Sequence, residues 1–256
     1  MLGFLGLAAS IFHLGRPFYA YRTLLGLRTS WLSREVLAFG IFACAATTYV
    51  TVTWFDVLLG WQHALGTIAA LAGLTAVLCS VMIYVDTRRP LWTPVATTSK
   101  FMLTALILGL PTALLSSLFT AAPTNSLTTA TILDNYGRPL CRLLLVSVIA
   151  KLLVETSIFL HLRSSQHTPH KRSALLLTGE LSMVMMRRFF FGIVGGVILP
   201  LVLLGEHSLV SGGYHPLFIG ATAVLMLGLL LAAELHERYL FFVASVAPIM
   251  PGTPAS

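Results

Sequence analysis

A histidine placed just before a helix-breaking pair is the first feature of this sequence that could carry chemistry. His13 ends an apolar run, and Gly15, Arg16 and Pro17 follow it. Because glycine commonly follows a helix end and proline prevents continuation, we expect His13 in a last helical turn. An imidazole at the edge of a hydrocarbon layer can hydrogen-bond a quinone carbonyl and exchange a proton near neutral pH. A capping or interfacial histidine is the simpler interpretation.

Two pairs of oppositely charged residues, each four positions apart, interrupt otherwise apolar stretches. Lys151 and Glu155 form the first pair, and Glu234 and Arg238 form the second, next to Tyr239. Residues at this spacing share a helix face and can neutralise one another, whereas a lone charge inside a membrane is costly. The first pair predicts a proton relay, a structural ion pair or a contact with another helix. The second pair, on the side of the histidine motif, predicts a binding site or an interfacial ion pair.

The elements that position these residues are membrane-spanning helices. Of 256 residues, 57% are hydrophobic and 10% charged, so polar side chains are too few to cover a soluble globule. A span needs about 20 apolar residues. Six segments meet that length: Val36 to Asp56, His63 to Val85, Phe101 to Ala121, Leu140 to Leu162, Phe189 to Gly205 and Pro216 to Arg238. The sequence predicts one all-α domain over residues 1–256, a polytopic transmembrane helix bundle of six full spans plus a short N-terminal apolar helix.

Aromatic and basic residues mix in the segment from Arg16 to Glu35. This composition favours the headgroup layer of a membrane, so we expect an interfacial amphipathic segment or a plain anchoring loop. Glu35 follows Arg34 directly at the start of a span, where a carboxylate favours the helix N-terminus. We therefore expect Glu35 to cap that helix and to contact partners.

Basic residues fall mainly on one side of the predicted bundle. Alternating the loops places twelve Lys and Arg residues on one face and only Arg138 and Arg142 on the other. Because Lys and Arg in short loops are retained in the cytoplasm, the basic face is predicted to be cytoplasmic. The net charge of +7 therefore does not indicate nucleic-acid binding. An acidic docking partner would select the same pattern.

Arg187 and Arg188 interrupt the apolar sequence from Leu175 to Leu204. A straight helix through that segment would sink both guanidinium groups into the bilayer, at roughly 2.5 to 3.5 kcal/mol each. We therefore expect residues 174–186 at the interface or in a cytoplasmic extension, with the span starting at Phe189.

The cysteines and histidines argue against a metal or haem centre in this chain. Cys44, Cys79 and Cys141 lie in or near separate spans without C-x-x-C spacing, which favours packing. A membrane haem needs two axial ligands facing one another within the hydrocarbon, whereas the histidines lie near span ends or in loops. The sequence thus predicts no haem and no metal bound by this chain.

Three ordered motifs carry a family resemblance. They are IFHLGRPFYAYRTLLGLRTSWLSRE from Ile11 to Glu35, VMIYVDTRRPLW from Val81 to Trp92, and AELHERYLFFVASVAPIMPG from Ala233 to Gly252. They resemble the signatures of the DmsC family, the membrane anchor subunits of dimethyl sulfoxide reductase-type molybdenum enzymes within the NrfD-like group. Family members usually carry eight spans, so the resemblance implies that the first is absent here and the second truncated.

The resemblance implies a quinone-binding anchor that exchanges electrons with a ferredoxin-like iron-sulfur subunit, through which a molybdopterin catalytic subunit attaches. The family's quinone histidine falls on His13, and the other candidates for binding menaquinone or ubiquinone are Arg16, Glu234, Arg238 and Tyr239. Contacts with partner subunits are expected at Arg22, Arg28, Trp31, Arg34, Asp86, Arg88 and Arg89.

The predicted location is a bacterial inner membrane, with lipid around the spans and the catalytic subunits on the basic, cytoplasmic face. Within the family this arrangement resembles the sulfite-oxidising complexes more than an exported dimethyl sulfoxide reductase. Two other classes of function stay open at this point. Lys151 and Glu155 in a polytopic bundle would also suit a proton conduit or transporter. A purely structural tether would show neither activity.

Overall fold

The computed structural model describes residues 26–57, 59–121, 132–166, 168–209 and 216–245, and helices account for most of them. The α-helices are α1 (Trp31–Trp54), α2 (Gln62–Asp86), α3 (Pro94–Ala121), α4 (Arg138–Thr156), α5 (Pro169–Thr178), α6 (Ser182–Ile193), α7 (Leu199–Leu209) and α8 (Pro216–Val243). Short 3-10 segments occur at Leu59–Trp61 and Ser157–Arg163, and π-helical segments at Leu133–Gly137 and Val194–Ile198. No strand occurs in these residues.

Six helical stretches are long and apolar enough to cross a membrane, which confirms the predicted fold class. They are Trp31–Trp54, Gln62–Asp86, Pro94–Phe119, Leu133–Arg163, Ser182–Gly205 and Leu217–Val243. Most begin or end several residues beyond the predicted bounds, because hydropathy marks only the apolar part of a helix that continues into polar sequence. The predicted N-terminal helix lies outside the described residues, as does the first half of the predicted interfacial segment, residues 16–25.

The chain divides after Arg88 into two compact units. In the first unit, α1 and α2 pack through small buried residues, Ala38, Ala76 and Cys79. Ser30 caps α1, since its side chain accepts a hydrogen bond from the backbone N–H of Ser33. The expectation that Glu35 caps this helix is therefore wrong. Glu35 lies further inside α1 and accepts a hydrogen bond from the Ser80 hydroxyl of α2.

The second unit contains α3 to α8 around one main apolar core. Ile107, Leu114, Leu144, Met226 and Leu230 are among its fully buried side chains. Large apolar side chains are also exposed all along the spans of the chain. In a bilayer those outward side chains face lipid rather than water, so the core does not need to bury them.

A second cluster lies at one end of this unit, where Trp92 stacks on Phe241 with ring centroids 5.1 Å apart. The Trp92 indole N–H also donates to the backbone carbonyl of Phe241 at 3.1 Å. On the neighbouring α5, the Ser173 hydroxyl donates to the carbonyl of Ala244 at 2.7 Å. These bonds fix the end of α8 against the segment before α3 and against α5.

The boundary predicted at Phe189 is wrong. The last long span before α8 begins at Ser182, and Arg188 lies inside it with only 1% of its surface exposed. Arg187, its neighbour, is exposed. A guanidinium is tolerated at this position because carboxylates from other helices reach it, which a hydropathy window cannot detect.

Two glycines let the π-helical segment between α6 and α7 approach its neighbours closely. A Cβ added at Gly196 would lie 2.5 Å from Cγ2 of Val148 on α4. A Cβ added at Gly195 would lie 2.9 Å from Cβ of Leu229 on α8. Small residues at such crossings allow helix backbones to pack tightly in a membrane.

Replacement of Gly196 by alanine is expected to destabilise the protein by about 1–3 kcal/mol, because the added methyl overpacks the contact with Val148. The measurement is the thermal unfolding midpoint in detergent. Gly228→Ala on α8, where the added Cβ meets nothing within 4 Å, is the matched control and should not lower the midpoint. Equal midpoints for the two variants would contradict the packing argument.

Candidate functional site

Six charged side chains of the second unit meet in the space between its helices. Three are cations and three are carboxylates, so the network has no net charge: Lys100 on α3, Lys151 and Glu155 on α4, Arg188 on α6, and Glu234 and Glu237 on α8. Lys151 is completely buried, with 0% of its surface exposed. Charges at such positions are stable only when opposite charges compensate their lost hydration.

Lys151 is held by three oxygen atoms from two other helices. Its ammonium donates to Oε2 of Glu234 and, at 2.5 Å, to the hydroxyl of Thr104. That hydroxyl in turn donates to the same carboxylate oxygen at 2.6 Å. Oε2 of Glu237 lies 3.9 Å from the ammonium. The Lys151 ammonium therefore makes two hydrogen bonds within the protein, and the Glu237 carboxylate adds a longer ion-pair contact.

Arg188 pairs with the other carboxylate oxygen of Glu234. Its Nη2 lies 3.3 Å from Oε1 of Glu234 and donates to Oε1 of Glu155 at 2.8 Å. Gly192, one turn along α6, leaves the space that the guanidinium occupies, since an added Cβ would lie 2.6 Å from Nη1. Glu234 thus joins two cations from two different helices.

The two pairs of opposite charges spaced four residues apart do not form ion pairs along their own helices. Lys151 pairs with Glu234, and Glu155 pairs with Arg188. For Lys151 and Glu155, the alternative of a contact with another helix is confirmed. Arg238 lies over the ring of Phe101, 4.0 Å from its centroid. Spacing along a helix showed which residues share a face, whereas helix packing selected the partners.

The network opens on a cavity of about 300 Å³ in the second unit. Lys100, Glu155 and Glu237 contribute charge to its wall, and Lys100 Nζ lies 3.3 Å from Oε1 of Glu237. That Oε1 atom is buried and has no hydrogen-bond partner among the described residues. Aromatic side chains, including Phe159 and Phe189, cover much of the remaining wall. The cavity therefore combines apolar walls with a few convergent protonatable groups, as small-molecule and proton sites do.

Two histidines stack at the same cavity. The rings of His161 and His170 have centroids 4.9 Å apart and an interplanar angle of 19°. His161 is exposed and follows α4, whereas His170 is half-buried on α5, whose first turn is capped by Thr168. Burial, and secondarily the charge of a protonated His161, lower the pKa of His170 from its ordinary value of 6.5. At neutral pH the His170 ring is therefore neutral and can both donate and accept a hydrogen bond.

The predicted quinone residues that the structure describes differ in burial and in contacts. Glu234 is buried and bound to two cations. Arg238 is half-buried over aromatic rings, and Tyr239 is 52% exposed. His13 and Arg16 lie outside the described residues.

The predicted partner contacts lie mainly at helix ends. Arg34 stacks over Trp31 at 4.2 Å and donates to the carbonyls of Leu27 and Arg28, each at 3.0 Å. This arrangement braces the turn before α1, and Arg28 itself is exposed. Arg22 lies outside the described residues.

Asp86 ends α2, and Arg88 follows it with a left-handed φ of 53°. Both residues are exposed, as a docking surface requires. Arg89, in the second unit, lies over the Trp92 ring at 4.6 Å.

Sequence reasoning missed half of the network and both cavity histidines. Glu237 stands three residues after Glu234, a helical spacing that could have flagged it as a partner on the same face. The span predicted to start at Phe189 left Arg188 outside the membrane, and no spacing pattern pointed to Lys100. Sequence placed the histidines, His161 and His170 among them, only near span ends or in loops. Among the described residues, no group of three or more His, Cys, Asp or Glu side chains is arranged to hold a metal ion.

Six apolar spans and a buried network of opposite charges between them are the features of a multi-pass membrane protein. The family model described as DMSO reductase anchor subunit (DmsC) matches residues 1–243. The chain belongs to this family of membrane anchor subunits, which confirms the resemblance that the motifs carry.

One relative is a sulfite dehydrogenase subunit of Allochromatium vinosum. It is 30% identical over 190 residues, which cover 68% of this chain and 53% of the relative. The chain therefore spans about half the length of this curated relative. No solved structure gives a significant match.

Replacement of Lys151 by methionine is expected to destabilise the protein by about 3–5 kcal/mol, because it leaves carboxylates buried without compensation. The measurement is thermal unfolding in detergent, together with the monodisperse fraction on gel filtration. The Lys151→Met/Glu234→Gln double variant should recover part of the loss, since it removes both charges.

Asp134→Asn is the matched control for this variant. Asp134 is exposed and forms an i,i+4 pair with the half-buried Arg138 at 2.9 Å, and its loss should cost less than about 1 kcal/mol. If Lys151→Met were no less stable than Asp134→Asn, the network would not hold the helices together.

The lowered pKa of His170 predicts a pH dependence of stability. An unfolded chain takes up a proton at this residue more readily than the folded protein, so the folded state loses relative stability as pH falls below about 6.5. His170→Gln should remove this contribution, giving a shallower fall of the unfolding midpoint between pH 7.5 and 5.5. His63→Gln, an exposed histidine of α2, is the control and should keep the parent's profile. Parallel profiles for all three proteins would refute the assignment.

Proposed function

We propose that this chain is the quinone-linked anchor of a molybdopterin and iron-sulfur oxidoreductase complex in a bacterial inner membrane. Electrons pass between the membrane quinone pool and a ferredoxin-like iron-sulfur subunit, which connects to the molybdopterin catalytic subunit. Membership of the anchor family over residues 1–243 supports this role. The relative from Allochromatium vinosum, named as part of a sulfite dehydrogenase, supports the sulfite-oxidising type, in which electrons flow towards quinone.

The observation that carries the quinone link is an apolar cavity walled by protonatable groups within a membrane-spanning unit. A bound quinone would accept electron pairs, and each pair must be matched by protons. Lys100 can donate a hydrogen bond to a ring oxygen, and the carboxylates of Glu155 and Glu237 can accept one from a ring hydroxyl. The residues present therefore fit a neutral ring with two oxygen atoms.

The family resemblance also names His13 and Arg16 as quinone residues, and Arg238 and Tyr239 are further candidates in the second unit. In this proposal the His13 imidazole exchanges a proton with a ring oxygen of the quinone. Glu234 contributes indirectly, because its two oxygen atoms are engaged by Lys151 and Arg188. It holds the helices that carry the protonatable groups.

The partner subunits dock on the basic face, which we place in the cytoplasm. Arg28, Asp86 and Arg88 are exposed at helix ends and can pair with charges of an iron-sulfur subunit. Lys and Arg retained on the cytoplasmic side supply the orientation. The substrate of the catalytic subunit never reaches this chain.

Purification of the complex through a tag on this chain tests the proposal. An iron-sulfur subunit and a molybdenum-containing subunit should co-purify, and the complex should reduce quinone with sulfite as donor. His13→Ala should slow that reaction by about 100-fold, the lower part of the range for general acid-base catalysis, while co-purification persists. His63→Ala is the control and should retain the parent's rate.

Each other outcome points to a different function. Undiminished quinone reduction by the His13→Ala complex would indicate a structural tether with no part in the chemistry. Absence of partner subunits, together with proton flux through vesicles that contain only this chain, would indicate a proton conduit. Either result would overturn the proposal.

A further inference from the structure

Protonatable side chains at the cavity form a series from the surface to the interior. His161 is exposed, His170 is half-buried, and Glu155 and Glu237 have side chains 9% and 3% exposed. All four lie on the wall of one cavity of about 300 Å³. The part of this cavity that a quinone ring at Lys100, Glu155 and Glu237 leaves free, beside the histidines, can hold water molecules, which bridge groups that do not touch directly.

Oε1 of Glu237 gives this series an end point. It is buried, forms an ion pair with the Lys100 ammonium at 3.3 Å, and has no hydrogen-bond partner among the described residues. A carboxylate oxygen has two lone-pair sites, so this atom can accept a proton or a water molecule from the cavity. The other carboxylate atom stays near Lys151, at 3.9 Å.

We propose that this cavity is a hydrated proton inlet, in which the His161–His170 pair receives protons from the aqueous phase and Glu237 receives them inside the membrane. The inference rests on the proposed function, since it names the groups that supply protons for quinone reduction. The transfer moves one proton at a time, from water to an imidazole nitrogen and then to a carboxylate oxygen. No bond other than the N–H and O–H bonds changes.

The charge balance of the network explains why this uptake would follow electron arrival. Three cations oppose three carboxylates, so a proton on Glu237 leaves an uncompensated positive charge in a medium of low dielectric. That charge is unfavourable until an electron arrives nearby and offsets it. Proton uptake is thereby coupled to reduction rather than continuous.

Other charged groups around the histidine pair are few. Lys100 faces the cavity from α3, Glu155 from α4 and Glu237 from α8. The adjoining α6 contributes apolar side chains, Met185 and Phe189. Lys171, on the same helix as His170, donates to the carbonyl of Ser164 at 2.7 Å. The cavity wall beside the histidine pair therefore carries one cation and two carboxylates.

Cysteine accessibility tests hydration without any enzymatic assay. Cys44, Cys79 and Cys141 are first replaced by alanine, and then Ala96, on the cavity wall, is replaced by cysteine. A membrane-impermeant, charged thiol reagent should modify Ala96→Cys at least about tenfold faster than Ala105→Cys, because only a thiol in water ionises. Ala105 is on the same helix but faces outward into the hydrocarbon. Equal rates would mean a dry cavity and would overturn the inference.

The role of the histidines is tested in the purified complex. The His161→Gln/His170→Gln variant should slow quinone reduction by about tenfold at pH 8, where aqueous protons are scarce, and less at pH 6. Added imidazole should restore the rate, which a merely structural defect would not permit. A pH profile parallel to the parent's, with no rescue, would overturn the inference.

The Glu237→Gln variant tests whether Glu237 itself, and not another group of the cavity, accepts the proton. This variant should lose proton uptake, measured with a pH-sensitive dye during a single reduction pulse, while its histidines keep the cavity open to the thiol reagent. Uptake equal to the parent's would contradict the role of Glu237. If the parent complex itself reduced no quinone, the proposed function would fail, whereas the accessibility result would stand independently.

Discussion

The second unit depends on the ion pairs that the Glu234 carboxylate forms with two buried cations. One oxygen binds Lys151 of α4 and the other lies against Arg188 of α6, while Glu234 itself belongs to α8. In hydrocarbon neither cation has a hydration shell to return to, so separating these helices would expose charges at high cost. Three helices are thereby held in one relative register, and apolar packing fills the space around them.

Fixing that register also creates the cavity. The same network that compensates Lys151 and Arg188 brings Glu155 and Glu237 to the cavity wall, beside Lys100. These charges therefore both hold the helices together and line the cavity. In the proposed proton inlet, the neutrality of the set is what makes a single additional proton matter.

Membership of the anchor family agrees with the distribution of apolar and charged side chains on the surface. An anchor of an oxidoreductase complex must remain in the bilayer and present a docking surface. Outward side chains of the spans are apolar, while exposed charges such as Arg28, Asp86 and Arg88 lie at helix ends. The relative from Allochromatium vinosum, at 30% identity, is named as a subunit of a sulfite dehydrogenase.

The sequence by itself determined the six spans, the all-α class and the family, because hydropathy and ordered motifs are properties of consecutive residues. It also marked Lys151, Glu155 and Glu234 as charges that needed partners. Only the tertiary structure decided which partners they have, that Arg188 is buried, and that His161 meets His170. These contacts join residues 9 to 83 positions apart. Spacing along one helix predicts a shared face, but the pairing across helices depends on how their backbones pack.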